Sequence, residues 1–91
     1  MIIAMVTGNV WATRKEDTLN GLKLMIVQRI DPTCGDAHES FIAVDCVGAG
    51  IGEQVLVVTG SSARKALPNF DTPVDAAIVG IIDQVTAQPG A

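Results

Sequence analysis

Aromatic side chains are scarce. Trp11, Phe41 and Phe70 are the only three, tyrosine is absent, and together they make 3% of the chain. Modules that bind single-stranded nucleic acid stack bases on aromatics and track the backbone with a basic groove. Neither is supplied here: six lysines and arginines stand against ten acids, for a formal net charge of −4. An acidic domain exerts no pull on phosphate backbones. Charge of either sign is sparse at 18%, while hydrophobic residues reach 48%. A single copy is therefore short of polar surface. Cys34 and Cys46 are too few for a disulfide framework, and the expectation is a cytoplasmic chain with reduced thiols. The apolar run "MIIAMV" lacks the basic start of a signal peptide and is far short of the roughly 20 residues of a membrane span.

What remains is a single domain over residues 1–91, with no repeat, linker or low-complexity segment. At this size folding buries about 60–65% of the unfolded chain's surface, enough for a core but not for a deep private active site. Five stretches read as strands: Ile2–Trp11, Leu22–Ile30, Phe41–Val47, Gln54–Thr59 and Ala76–Val85. Arg14–Asp17 and the polar segment "DPTCGDAHE", Asp31–Glu39, read as connections. "SSARKAL" reads as one or two helical turns with Ser61 or Ser62 as N-cap. Pro68 and Pro73 frame a loop, and "AQPGA" is a loose tail. An all-β chain of five short strands and one short helix suggests a small barrel.

The strands are apolar on both faces. Ile2, Ala4 and Val6 alternate with Ile3 and Met5. Leu22, Leu24 and Ile26 share one face of the second strand, Met25 and Val27 the other. Val55 and Val57 alternate with Leu56 and Val58, and Ile78 and Ile82 with Val79, Ile81 and Val85. A barrel strand open to water on its outside is expected to be polar there. One short helix cannot cover four such strands, so the expected covering layer is another copy of the chain.

"VDCVGAGIGEQVLVVTGSSAR", Val44–Arg64, holds four of the nine glycines and has the look of a phosphate loop. The dinucleotide fingerprint needs a third glycine three residues after Gly50, but that position is Glu53. The next element reads as a strand, so the helix N-terminus that would hold a pyrophosphate is missing. A tight strand-to-strand connection fits better. Loops of small residues also let identical subunits crowd around an axis, which makes Gly48, Ala49, Gly50, Ile51, Gly52, Glu53, Gly60, Ser61 and Ser62 the candidate axis or interface residues.

Four blocks of this chain resemble those of the pentameric EutN/CcmL-type vertex proteins of bacterial microcompartments. They are "GNVWATRK" (8–15), "LNGLKLMIVQ" (19–28), "AVDCVGAGIGEQVLVVTGSSAR" (43–64) and "PVDAAIVGIID" (73–83). The resemblance implies a five-stranded OB-like barrel assembling as a cyclic pentamer. It implies a structural shell role, capping the vertices of a polyhedron built from hexameric shell proteins, with no enzyme activity and no cofactor. The alternative class is an OB-type single-stranded nucleic-acid-binding module, which the charge and the aromatics disfavour. "DPTCGDAHES" matches no motif of the family.

Other chemistry is weaker. Cys34 and His38 have a C-x-x-x-H spacing with Asp36 between them, but a metal site needs three or four ligands and no second pair stands nearby. Ser61 or Ser62 with His38 and an aspartate lacks a nucleophile elbow, so no catalytic residue is assigned. Asp45 interrupts the apolar run "FIAVDCV". It is either paired with Arg64, within the chain or across an interface, or exposed at the strand end. Cys46 reads as a small core residue, and Trp11 as a barrel-end or interface aromatic.

Overall fold

In a computed structural model, the structure describes residues 1–11, 19, 21–30, 37–67 and 73–83, with backbone only at 37 and 38. Five strands appear: β1 (Ile2–Val10), β2 (Lys23–Ile30), β3 (Ala37–Asp45), β4 (Gln54–Thr59) and β5 (Ala76–Ile81), with one helix, α1 (Ser61–Lys65), after β4. They close into a barrel in the order β1-β2-β3-β5-β4. All neighbours run antiparallel except β3 and β5, which run parallel and meet only at Val44↔Ala77 and Asp45↔Ile78. Full closure removes most of the sheet edge that an open five-stranded sheet would leave.

The two-faced strands sort cleanly. Ala4, Val6, Met25, Val27, Ala43, Val55, Val57 and Ile78 point inward and are fully buried. Most are valine and alanine, small enough for the narrow bore of a five-stranded barrel; burying one valine contributes about 1.5 kcal/mol or more. On β2 the inner face is the one that also carries Lys23 and Arg29 at its ends; the trio Leu22, Leu24 and Ile26 faces out. A bulge at Thr7 and another at Val79, between the partners of Val57 and Leu56, keep β1 and β5 in register while they bend from one neighbour to the next.

A second, smaller cluster lies outside the barrel wall. Val44, Leu67 and Val74 are buried there, with Leu19, Leu22 and Leu24 packed against them. Helix α1 packs on β4 and β5. Among the described residues this cover reaches one part of the outside: Ile3, Met5, Ile26 and Leu56 stay half-buried and belong to neither cluster.

Several boundaries differ from the sequence reading. β3 starts at Ala37, so Ala37–Glu39 are strand rather than loop; a register shift between Gln28 and Ile30 lets Ile30 pair with Ala37 and lengthens the hairpin. Trp11 lies just beyond β1. β5 ends at Ile81, although the Ile82 N–H still donates to the Gln54 carbonyl at 2.8 Å. Arg14–Asp17, Pro68, Phe70, Val85 and the tail lie outside the described residues.

Helix α1 is capped differently from the expectation. Its N-cap is Gly60, with φ 65° and no side-chain cap, and Ser61 and Ser62 lie inside the helix. The chain leaves β4 through a left-handed turn pinned by the Gly60 N–H to the Asp75 carbonyl at 2.8 Å. A serine cap needs an extended backbone at the cap residue, and a positive φ there selects glycine.

Candidate functional site

The glycine loop between β3 and β4 crosses one end of the barrel. Ala49, at its middle, is buried in the barrel core. That removes Ala49's side chain from the candidate axis residues, because it is used to close this copy's own core. Six of the loop's amides, those of Cys46, Val47, Gly48, Gly50, Gly52 and Glu53, are bonded within the chain. Asp45 Oδ1 accepts from the Val47 N–H at 3.0 Å and the Gly48 N–H at 2.9 Å. Glu53 Oε1 accepts from the Gly50 N–H at 2.6 Å. The Gly52 N–H donates to the Val6 carbonyl at 2.8 Å, and the Val6 N–H to the Glu53 carbonyl at 3.0 Å, which stitches the loop to β1.

Two carboxylates of the chain therefore sit where a phosphate would have to sit. Charge-assisted bonds of this kind are roughly twice as strong as neutral ones and fix the loop. The sequence placed a carboxylate at Glu53 against a pyrophosphate; the structure gives it a positive task, closing Gly50–Glu53 together with the Glu53 N–H to the Gly50 carbonyl at 3.1 Å. That task was missed in the sequence, although an acid three residues after a glycine, as in a tight turn, was its signal.

The left-handed residue of this turn is Gly52, at φ 92°, while Gly50 has an ordinary negative φ. A Cβ on Gly52 would touch nothing within 4 Å, so its requirement is conformational and not one of space within this copy. A Cβ on Gly50 would meet Glu53 Oε1 at 3.2 Å.

Asp45 and Arg64 are not brought together within the chain. Asp45 spends Oδ1 on the loop amides, and Oδ2 is shielded from solvent without a hydrogen-bond partner among the described residues. Arg64 Nη1 instead donates to the Val74 carbonyl at 3.4 Å, tying α1 to the segment that leads into β5. The amides following Asp45 in sequence are nearer partners than a guanidinium on another element. Cys46 is exposed and not a core residue. Partial burial, then the neighbouring Asp45 charge, pushes its thiol pKa up, which makes it a poor nucleophile. Cys34 and Asp36 lie outside the described residues, as does the His38 side chain; no group of three metal-binding side chains occurs among the described residues.

The described surface carries isolated large apolar groups: Trp11 is 95% exposed, with Ile51, Val47 and Ile42 also open to solvent. Val47 and Ile51 belong to the glycine loop, so the loop presents apolar side chains to solvent. Nothing in this arrangement activates a nucleophile or a base; what it offers is a rigid body with unfinished apolar surfaces.

Comparison with known proteins agrees. The family described as "Ethanolamine utilisation protein EutN/carboxysome" matches residues 1–83. The carboxysome shell vertex protein CcmL of Synechocystis is 48% identical over 92 aligned residues, covering 100% of this chain and 91% of the relative. The microcompartment shell vertex protein EutN of Escherichia coli is 41% identical, covering 96% and 92%. Among solved structures, the GrpN pentameric microcompartment shell protein from Rhodospirillum rubrum superposes with a TM-score of 0.87 at 40% identity, covering 96% of this chain and 99% of that one. Matched by the family over residues 1–83 and by shell vertex proteins across nearly its whole length, the chain belongs to the EutN/CcmL family of bacterial microcompartment shell vertex proteins, whose role is structural.

Proposed function

We propose that this chain, folded as one domain, closes into a five-membered ring whose outer rim meets hexameric shell tiles at the corners of a microcompartment. The observation that carries the reading is the outer wall: Ile3, Met5, Ile26 and Leu56 are apolar, half-buried and outside both core clusters. A surface of that kind marks a contact with protein. A cyclic ring uses two different faces of each copy, which suits a barrel apolar on more than one side. The pentameric relative supports the number five. Flat tiles form sheets and tubes, and closure in three dimensions needs fivefold corners, so few copies control the shape of a large assembly.

Within the ring, Gly48, Gly50, Ile51, Gly52 and Glu53 would lie at the axis or at the contact between copies, with Gly60, Ser61 and Ser62 at the contact. The exposure of Val47 and Ile51 supports this, as does the absence of any contact at the Cβ positions of Gly48, Gly52 and Gly60 within one copy. The Asp45 carboxylate and Arg64 would meet, if at all, across that contact. Nucleic acid has no place in this reading, since the chain carries a net charge of −4 and Phe41 packs against the core.

Co-expression with the cognate hexameric shell proteins tests the role. Electron microscopy is expected to show closed polyhedra with this chain, and elongated, open or leaky shells without it. Equally sealed polyhedra in both preparations, with no other vertex protein present, would refute it.

A further inference from the structure

The barrel wall has a seam. β3 joins β5 only through Val44 and Asp45, so among the described residues the earlier part of β3 has no strand partner on its β5 side. Between this stretch and the β4–α1 turn opens a cleft of about 490 Å³. Ile2 and Phe41, both packed on the core, form apolar lining, with Ile42 beside them at 45% exposure. Arg29, Glu39 and Asp75 add charged groups to the lining. A hollow of this size with apolar walls and a few polar groups suits a side chain that is apolar in body and polar at one tip.

Among the described residues the same chain carries such a side chain left open to solvent. Trp11 is 95% exposed. Tryptophan buries about 150–250 Å² when it is covered, and is among the residues most enriched at the centres of protein contacts. It cannot fill the cleft of its own copy. Trp11 follows the last residue of β1 and Ile2 is the first, and nine extended residues span about 30 Å. One end of the subunit therefore bears a projection and the other a hollow, which is a head-to-tail arrangement, and head-to-tail contacts form a ring where the rotation between copies closes.

We propose that Trp11 of one copy seats in the cleft between β3 and the β4–α1 turn of the next copy in the ring. The indole N–H then finds a carboxylate acceptor, Glu39 or Asp75, and the ring face lies near the Arg29 guanidinium, a favourable cation–π arrangement. The inference rests on the ring reading and adds the residue that keys one copy into another. It also accounts for Gly60 in the lining of the cleft: a left-handed turn without a side chain keeps the cleft's mouth clear.

Trp11 is the only tryptophan of the chain, so its fluorescence reports on this contact alone. Native mass spectrometry first establishes the ring, and acrylamide quenching of the same sample follows. The expected result is a blue-shifted emission and a quenching constant several-fold below that of the urea-unfolded chain. Ile42→Glu, at an exposed position that the barrel tolerates, is expected to shift the emission to the red, restore quenching and weaken the ring, while circular dichroism stays that of the folded barrel. An intact ring in which Trp11 is quenched like the unfolded chain would overturn the inference and leave the ring reading standing. So would a protected Trp11 that ignores both Ile42→Glu and the milder Ile42→Ser, or one protected only after hexameric tiles are added. Absence of any ring in the mass spectrum would overturn both.

Discussion

On β4, Val55 and Val57 are fully buried, whereas Leu56 and Val58 on the opposite face of the same strand are only half-covered. The four side chains are alike in chemistry. They differ in what finishes them. The inner pair is finished by β1, β2 and β5 of the same copy, because a closed barrel brings every inner face to one axis. On the outside, Leu56 lies between its lateral strand neighbours Ile3 and Gly80. The inner wall therefore decides whether the chain folds, and in the proposed ring the outer wall is where copies meet.

The largest effect should come from breaking the inner wall. Val57→Asp places an unpaired charge at a position with 0% exposure. Such a burial costs several kcal/mol against a total stability of about 5–15 kcal/mol. The variant is expected to be unfolded by circular dichroism; a cooperative melt near that of the parent would show that the inner wall is not the seat of stability.

Leu56→Glu, one residue away, should separate the two walls. The barrel is expected to remain folded, at a cost of about 1 kcal/mol or less for a partly exposed site, while native mass spectrometry at micromolar concentration shifts from ring to monomer. A full ring carrying this substitution would mean that Leu56 lies on a free surface.

A smaller effect is expected at the loop that joins the walls. Gly52→Val forces a β-branched residue to φ 92°, and should lower stability by about 1–3 kcal/mol in urea titrations. Gly50→Val meets only the end of the Glu53 side chain, which can swing aside at the loss of one hydrogen bond, and should cost less. The reverse order would show that crowding, and not backbone conformation, governs the loop.

Cys46 should give the smallest change. In a Cys34→Ser background, alkylation by iodoacetamide is expected to be slow at neutral pH, with its pH midpoint above the ordinary thiol range, since burial and then Asp45 disfavour the thiolate. A folded-state pKa raised in this way adds a contribution to stability that is present below the unfolded thiol's pKa. It is lost as pH rises through the folded value. Fast alkylation at pH 7 would place Cys46 in a different environment.

The sequence was legible where period and composition spoke together. Alternation on Ile2–Val6, Lys23–Val27 and Gln54–Val58 marked strands, and their second apolar face marked a partner. Ends were less legible. Ala37–Glu39 became strand because the β2–β3 hairpin continues past a bulge, a long-range pairing that no local residue advertises. The cap of α1 passed from Ser61 or Ser62 to Gly60 because the turn's φ depends on where Asp75 lies, fifteen residues on. Gly50 and Gly52 look equivalent on paper, yet only Gly52 takes a positive φ.

The sequence by itself determined a small all-β chain, acidic, poor in charge and aromatics, with strands too apolar for a lone copy. Those properties follow from residue type and spacing, which act locally. Only the tertiary structure decided which face of β2 turns inward, that Ala49 serves the core, and that Asp45 holds the glycine loop and leaves Arg64 to the Val74 carbonyl. It alone placed Trp11 and the β3 cleft at opposite ends of one strand. The reason is closure: joining five strands into a barrel fixes a register among residues far apart in sequence, and that register chooses each side chain's neighbours.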